Sequence, residues 1–224
     1  DMDSYLKHYI NGKWVDSIGG KRHEVISPST EEPCTEITLG TQADVDAAVS
    51  AARQAFKTFS QTSREERIAL MNRIIEEYKK RIPDFAKSMA AEMGAPVSFA
   101  TMAQAPAGLG GFLGTLPALE NFAFKEQHGA NTVVYEPIGV VGLITPWNWP
   151  LNQIALKVAP CIAAGNTMVL KPSEECPGNA AIFAEVMDAA GVPPGVFNLV
   201  QGDGPTVGAA ISAHPDVDMV SFTG

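Results

Sequence analysis

The sequence predicts an α/β fold with a doubly wound, mostly parallel sheet, and three observations carry that prediction. From residue 139 onward, short apolar runs of strand length alternate with helical stretches of 10–15 residues. The runs are apolar throughout instead of alternating with polar residues, as parallel strands buried on both faces require. Glycines stand where the helices should stop, at Gly165 and Gly191, the position that favours a left-handed cap. Strands alternating with helices in this way imply right-handed β-α-β crossovers around one sheet. The 224 residues are 46% hydrophobic and 18% charged, enough apolar material for a sizeable core, and wholesale disorder is excluded on the same ground.

The elements follow in order. Asn11-Gly12, set between Tyr9-Ile10 and Lys13-Trp14-Val15, predicts a hairpin, because a type I′ turn needs positive φ at both central residues. Over residues 43–59, Val45, Ala48, Val49, Ala52 and Phe56 recur at helical spacing. Ser63 and Glu66 form a capping box that opens the next helix. Its buried stripe is Ile68, Met71, Ile74, Ile75 and Tyr78, until Pro83 kinks or ends it. A helix rich in Ala and Gly is predicted over 97–122, then an edge strand over 132–136. The second half reads as strand 139–145, helix 151–164, strand 167–171, helix 179–190, strand 196–200, a short helix from Pro205 to Ser212, and strand 217–223. Proline suits that helix start, where its missing N–H is unsatisfied anyway.

Charge and composition narrow the function. Lys plus Arg is 16 against 25 Asp plus Glu, a net charge of −9 with no basic run, which argues against nucleic acid because phosphate neutralisation supplies most of that affinity. The longest near-apolar run, residues 138–147, is about half the roughly 20 residues a membrane-spanning helix requires. The opening segment shows no basic flank before an apolar stretch, so no secretory signal is expected. Cys34, Cys161 and Cys176 lie far apart, and the four histidines are scattered. No disulfide framework and no metal site is expected, and the default is a reduced, cytoplasmic protein.

In open α/β sheets, ligands bind outside the carboxyl ends of the strands, and each of the four second-half strands ends in something distinctive. The first leads into Pro146-Trp147-Asn148-Trp149-Pro150. There Asn148 reads either as a turn residue or as an amide donor aimed at developing negative charge; two tryptophans at a turn favour an active-site lining. The second ends in Lys171-Pro172-Ser173-Glu174, where a lysine and a carboxylate together suit a ribose diol and the carboxylate repels a 2′-phosphate. The third ends in Gly202-Asp203-Gly204-Pro205-Thr206-Val207-Gly208. That spacing is one residue longer than the dinucleotide fingerprint, and taken alone it reads equally well as a turn with a helix-packing glycine. In context it reads as a glycine turn that lets a cofactor approach a helix start, where free N–H groups favour phosphate. The fourth ends in Phe222-Thr223-Gly224.

These strings resemble the aldehyde dehydrogenase family. Pro146 to Leu151, Ala164-Gly165-Asn166, Lys171 to Glu174, Pro193 to Asn198, Gly202-Asp203-Gly204 and Ser221 to Gly224 are similar to the signature of its Rossmann-like cofactor domain. Ile10 to Trp14 and Ser27 to Thr30 are similar to the family's start, so the resemblance runs through the whole chain.

It implies NAD(P)-dependent oxidation of an aldehyde to a carboxylic acid through a cysteine thiohemiacetal and thioester, with NAD preferred and NADP possible. Asn148 would stabilise the oxyanion. Ile144, Pro146 and Trp147 would line the cofactor, and Lys171 and Glu174 would hold its adenosine ribose. Gly204 and Gly208 would admit its adenosine end, while Phe222, Thr223 and Gly224 would begin the loop beneath the pyrophosphate. Trp149, Gln153 and Leu156 would face the aldehyde tunnel.

The family's nucleophilic cysteine and general-base glutamate come after the F-T-G segment, and none of the three cysteines here takes that place. Residues 1–224 therefore read as one cofactor-binding domain, incomplete at its C-terminal end, with the catalytic domain missing. The last strand, lacking a covering helix, would leave an open sheet edge. Two other readings stay open: a nucleotide-binding fragment without turnover, and an acylating or reductase member of the same family. Residues 122–137 resemble the family's oligomerisation arm, which implies a homodimer or homotetramer.

Overall fold

The computed structural model describes residues 2–224. The first part runs β1 (Asp3–Tyr5), β2 (Lys7–Ile10), β3 (Lys13–Asp16), β4 (Lys21–Ile26) and β5 (Pro33–Leu39), then α1 (Gln42–Phe59), α2 (Arg64–Lys80), α3 (Ile82–Met93), α4 (Val97–Phe99) and α5 (Ala105–Asn121). A ribbon of β6 (Lys125–His128) and β7 (Asn131–Val134) follows. The βα series comes next: β8 (Val140–Ile144), α6 (Pro150–Ala163), β9 (Thr167–Lys171), α7 (Gly178–Ala189), β10 (Phe197–Leu199), α8 (Ala209–Ala213) and β11 (Met219–Phe222). π turns precede α5 and α8, at Ala100–Gln104 and Gly204–Gly208.

The main sheet has the order β11-β8-β9-β10-β2-β3. Its first four strands are parallel, and the N-terminal hairpin extends it antiparallel through β2 on β10. Period-two alternation sends neighbouring side chains to opposite faces, and this divides the interior into two cores. Val141, Leu143, Met168 and Leu170 pack with α2, α3, α5, α6 and α7, whereas Val140 and Val169 pack with α1 and α8. Helices thus cover both faces, as the sequence predicts.

The local signals explain most boundaries. Asn11 and Gly12 turn at φ 54° and 73°. Thr41 and Ser63 each make a full capping box on α1 and α2. Pro83 lies in the first turn of α3 instead of breaking α2, which ends at Lys80. The approach of α5 to α6 needs Gly111, where a Cβ would fall 2.8 Å from the backbone carbon of Ala155. Through the larger core runs a chain of aromatic rings. Phe112 of α5 stacks on Phe183 of α7 (6.2 Å between centroids), Phe183 meets Phe197 of β10 (5.5 Å), and Phe197 leads to Tyr9 and Trp14 of the hairpin.

Three features differ from expectation. The strand expected over 132–136 pairs only with β6, in a separate two-stranded ribbon, and is not an edge of the main sheet. Arg64 ties this ribbon down by donating to the carbonyls of Glu120 (2.8 Å) and Phe122 (2.7 Å), with its guanidinium 5.2 Å over the Phe124 ring. A three-stranded sheet, β1-β5-β4, is additional. The helix expected over 97–122 is interrupted by a π turn. Among the described residues, no helix is long and apolar enough to cross a membrane, and no group of His, Cys, Asp and Glu is arranged to hold a metal.

Candidate functional site

Strand register brings the distinctive residues to one rim. Phe222 pairs with Ile144 across β11 and β8, and Ile144 pairs with Lys171 across β8 and β9. The pairing continues past the strands, with Thr223 N–H donating to Ile144 O (3.0 Å) and Thr145 N–H to Lys171 O (3.1 Å). Trp147 is 53% exposed in the loop that follows β8. Aromatic surface left in water on a strand-end rim suits a ligand that covers it.

The loop after β8 carries Asn148. Its Oδ1 accepts the N–H of Trp149 (3.1 Å), which leaves the side-chain NH₂ with no hydrogen-bond partner among the described residues. The turn is held from behind. The Trp149 ring packs edge-on to Phe99 at 5.7 Å, and Gln104 Nε2 donates to the Asn148 carbonyl at 3.4 Å. Trp149, Gln153 and Leu156 share one face of the start of α6, with Gln153 N–H donating to Trp149 O (3.0 Å) and Leu156 exposed. Lys157 Nζ donates to Ser221 Oγ (2.8 Å), fastening α6 to β11 beside that face.

Lys171 and Glu174 do meet, but most of the ammonium is used inside the protein. It donates to Gly202 O (2.8 Å) and Pro172 O (2.7 Å), and its third contact, to Glu174 Oε2, is the longest at 3.4 Å. Burial lowers the Lys171 pKa, while the Glu174 and Asp203 carboxylates oppose that shift. Lys171 therefore bolts the second and third strand-end loops together, and Glu174, more exposed, keeps a free acceptor at the surface.

The glycine turn already carries a carboxylate of its own. Asp203 Oδ1 accepts the N–H of Thr206 (2.8 Å) at the start of the π turn. This carboxylate caps one N–H of the helix start and adds negative charge there. A Cβ at Gly204 would meet nothing within 4 Å, and one at Gly208 would approach Lys171 Cδ and Asp203 O only to 3.8 Å. Gly204 thus faces open space, and the stem of Lys171 lies beside Gly208.

A residue outside the rim secures the loop that carries Glu174. Glu92, at the end of α3, accepts the N–H of Gly178 with both oxygens (3.1 Å each), at the first turn of α7. Burial raises the Glu92 carboxyl to about 7, although hydrogen bonds from Thr35, Gly178 and Cys176 oppose the rise. The folded form thus holds a proton more tightly than the unfolded one, so stability falls as pH rises from about 4.5 to about 7 and is level above that. Glu92→Gln should remove this slope. The difference in unfolding free energy between pH 5 and pH 8 should shrink by on the order of 3 kcal/mol relative to the parent. Denaturant titrations at the two pH values check it; equal slopes would refute the assignment.

None of the cysteines is a ready thiolate. Burial pushes Cys161 up to about 12 and Cys176 well above its ordinary value, and it raises Cys34 as well. Cys161 packs in the larger core, in line with the sequence reading that none of the three is the nucleophile.

These elements define an open α/β domain with its chemistry gathered at the carboxyl ends of the strands. Residues 14–224 match the model of the aldehyde dehydrogenase family, and the chain belongs to that family. It is 54% identical over 224 residues to a 3-succinoylsemialdehyde-pyridine dehydrogenase from a Pseudomonas species, covering 100% of this chain and 47% of that protein. The crystal structure of an aldehyde dehydrogenase from Bartonella henselae superposes with a TM-score of 0.97 at 49% identity, over 100% of this chain and 48% of the other. A structure of aldehyde dehydrogenase C from Pseudomonas syringae, solved with NAD+ and octanal, gives 0.94 at 46% identity, over 96% and 44%. The chain spans about half the length of the relatives it matches.

Proposed function

We propose that this chain supplies the cofactor site and the oxyanion donor of an NAD-dependent aldehyde dehydrogenase that oxidises an aldehyde to a carboxylic acid. The observation that carries the reading is the Asn148 side chain, whose oxygen is engaged by Trp149 while its NH₂ stays free on the strand-end rim. NAD, as held in the P. syringae relative, accepts the hydride of the oxidised aldehyde. The described residues divide the rest of the work. Ile144, Pro146 and Trp147 line one side of the cofactor, and Phe222, Thr223 and Gly224 carry the pyrophosphate at the neighbouring strand end. Gly204 and Gly208 leave room for the adenine. Glu174 accepts from the ribose hydroxyls, and Lys171, anchored on Gly202 and Pro172, holds the Glu174 carboxylate beside them. Asn148 points its NH₂ at the oxygen that becomes negative when a thiolate adds to the aldehyde. Trp149, Gln153 and Leu156 form the wall along which the aldehyde enters. The thiol and the carboxylate that activates water belong to the part of the protein after residue 224.

The test is direct: the full-length protein, given NAD and a panel of aliphatic and aromatic aldehydes, should form NADH and the matching acids. Failure to bind NAD, or to form NADH with any of them, would overturn the reading. Cofactor choice gives a sharper check. Glu174→Gln removes the charge that repels a 2′-phosphate, so the ratio of kcat/KM for NADP to that for NAD should rise about tenfold, equivalent to about 1.4 kcal/mol. An unchanged ratio would place the ribose elsewhere.

The ribbon over residues 122–137 supports assembly into a homodimer or homotetramer. It exposes Val134, Tyr135 and Phe122 beside an apolar groove lined by Leu119, Phe124 and Ala163. Sedimentation velocity on the full-length protein reads the state directly, and a monomer at all concentrations would exclude it.

A further inference from the structure

We infer that the π turn Ala100–Gln104 is a device that aims Asn148, with Phe99 and Gln104 as positioning residues; this rests on the oxyanion role proposed for Asn148. The cause of the turn lies in the sequence. Pro106 has no N–H, and its ring clashes with the carbonyl four residues earlier, that of Met102, so a regular α-helical ladder is blocked here. The chain widens instead, and Ala105 N–H bonds to Ala100 O, five residues back. The buried Tyr78 hydroxyl donates to the Ala105 carbonyl just past the turn and fixes its exit.

The widening has a geometric result. In a regular α-helix at 3.6 residues per turn, residues five apart point about 140° away from each other. In a turn closed by i to i+5 bonds, they come to the same side. Phe99 and Gln104 are five apart, and both meet one loop: Phe99 lies edge-on to Trp149, and Gln104 donates to the carbonyl of Asn148. An uninterrupted helix could place one of these contacts, not both.

Gln104 is a costly residue to keep there for packing alone. It is 5% exposed and its Oε1 has no partner, so its bond to Asn148 is the one its side chain makes among the described residues. The Asn148 carbonyl is an acceptor only, so the nitrogen is the atom that must face it. Phe99 fixes the ring of residue 149, Gln104 fixes the carbonyl of residue 148, and the N–H between them holds Asn148 Oδ1. All three constraints converge on where the free NH₂ points.

The experiment is a double-mutant cycle in the full-length protein between Gln104→Met and Asn148→Ala. Methionine keeps the buried volume and removes the donor. Q104M should lower kcat about tenfold, as small misplacements of a catalytic group do, with NAD affinity unchanged. In the N148A background it should cause no further loss, because there is no longer an amide to aim. Undiminished kcat in Q104M, or the same tenfold loss with and without Asn148, would overturn the inference while leaving the oxyanion role intact. Full activity in N148A itself would instead remove the oxyanion role, and the inference with it. Phe99→Ala, at a half-exposed position, repeats the cycle from the other contact should Q104M fail to fold, with the same expected and overturning outcomes.

Discussion

Asn148→Ala is expected to lower kcat by about a hundredfold or more, roughly 2.7 kcal/mol of transition-state stabilisation, while NAD binds as before. The donor acts only when charge develops on the aldehyde oxygen, so its loss should appear in kcat and equally in kcat/KM. Alanine also releases the Trp149 N–H now bonded to Oδ1, but that group sits in an exposed turn where water can replace the lost partner. Single-turnover measurement of NADH formation isolates the step. Unchanged single-turnover rates would show that the oxyanion is held by other donors.

Phe183→Ala is expected to be the most damaging change to stability. Phe183 is fully buried and stands at the centre of the aromatic chain, with Phe112 on one side and Phe197 on the other. It joins the helical layer to the sheet and, through Tyr9, to the N-terminal hairpin. Removing a buried phenylalanine costs about 3–5 kcal/mol. For a chain of this size, that is a fall in Tm of roughly 6–20 °C. The rings on either side are anchored on different elements and cannot close the cavity without moving α5 or β10. Scanning calorimetry tests this; in a protein of the relatives' length, about twice that of this chain, the expected fall halves, and one of less than about 1 °C would mean the site collapses freely.

Much of this architecture is legible in the sequence, and the rest is hidden for identifiable reasons. The βα series is readable because β8, β9 and β10 are buried on both faces, which shows in the sequence as short, mainly apolar runs. The capping box at Ser63 marks a helix start through local chemistry alone. The β1-β5-β4 sheet is hidden because its strands are short, half polar, and paired between distant residues such as Ser4 and Glu36. The hairpin at Asn11-Gly12 is local and readable, while its place beside β10 is not.

At the site, the rule of strand ends locates Ile144, Lys171 and Phe222 together. It does not reveal that Lys171 spends its ammonium on Gly202 and Pro172. Two signals were available. Asp203, followed by a glycine and then Pro205, has the form of an N-cap before a helix start, and it announces the carboxylate that caps the turn. Pro106 inside a helical stretch announces the interruption that brings Gln104 into play. Glu92 had no such signal, because its partner Gly178 lies 86 residues away.

The hairpin's position also dictates an order of events during synthesis. Tyr9 pairs with Leu199, 199 − 9 = 190 residues later, so the second strand waits for a partner made long after it. At about 5–20 residues per second on the ribosome, the hairpin spends roughly 10–40 s without its β10 partner. Throughout that interval Tyr9 and Trp14 on one face of the hairpin, and Ile10 on the other, lack their packing partners. The N-terminal hairpin therefore takes its place in the main sheet only after β10 has been made.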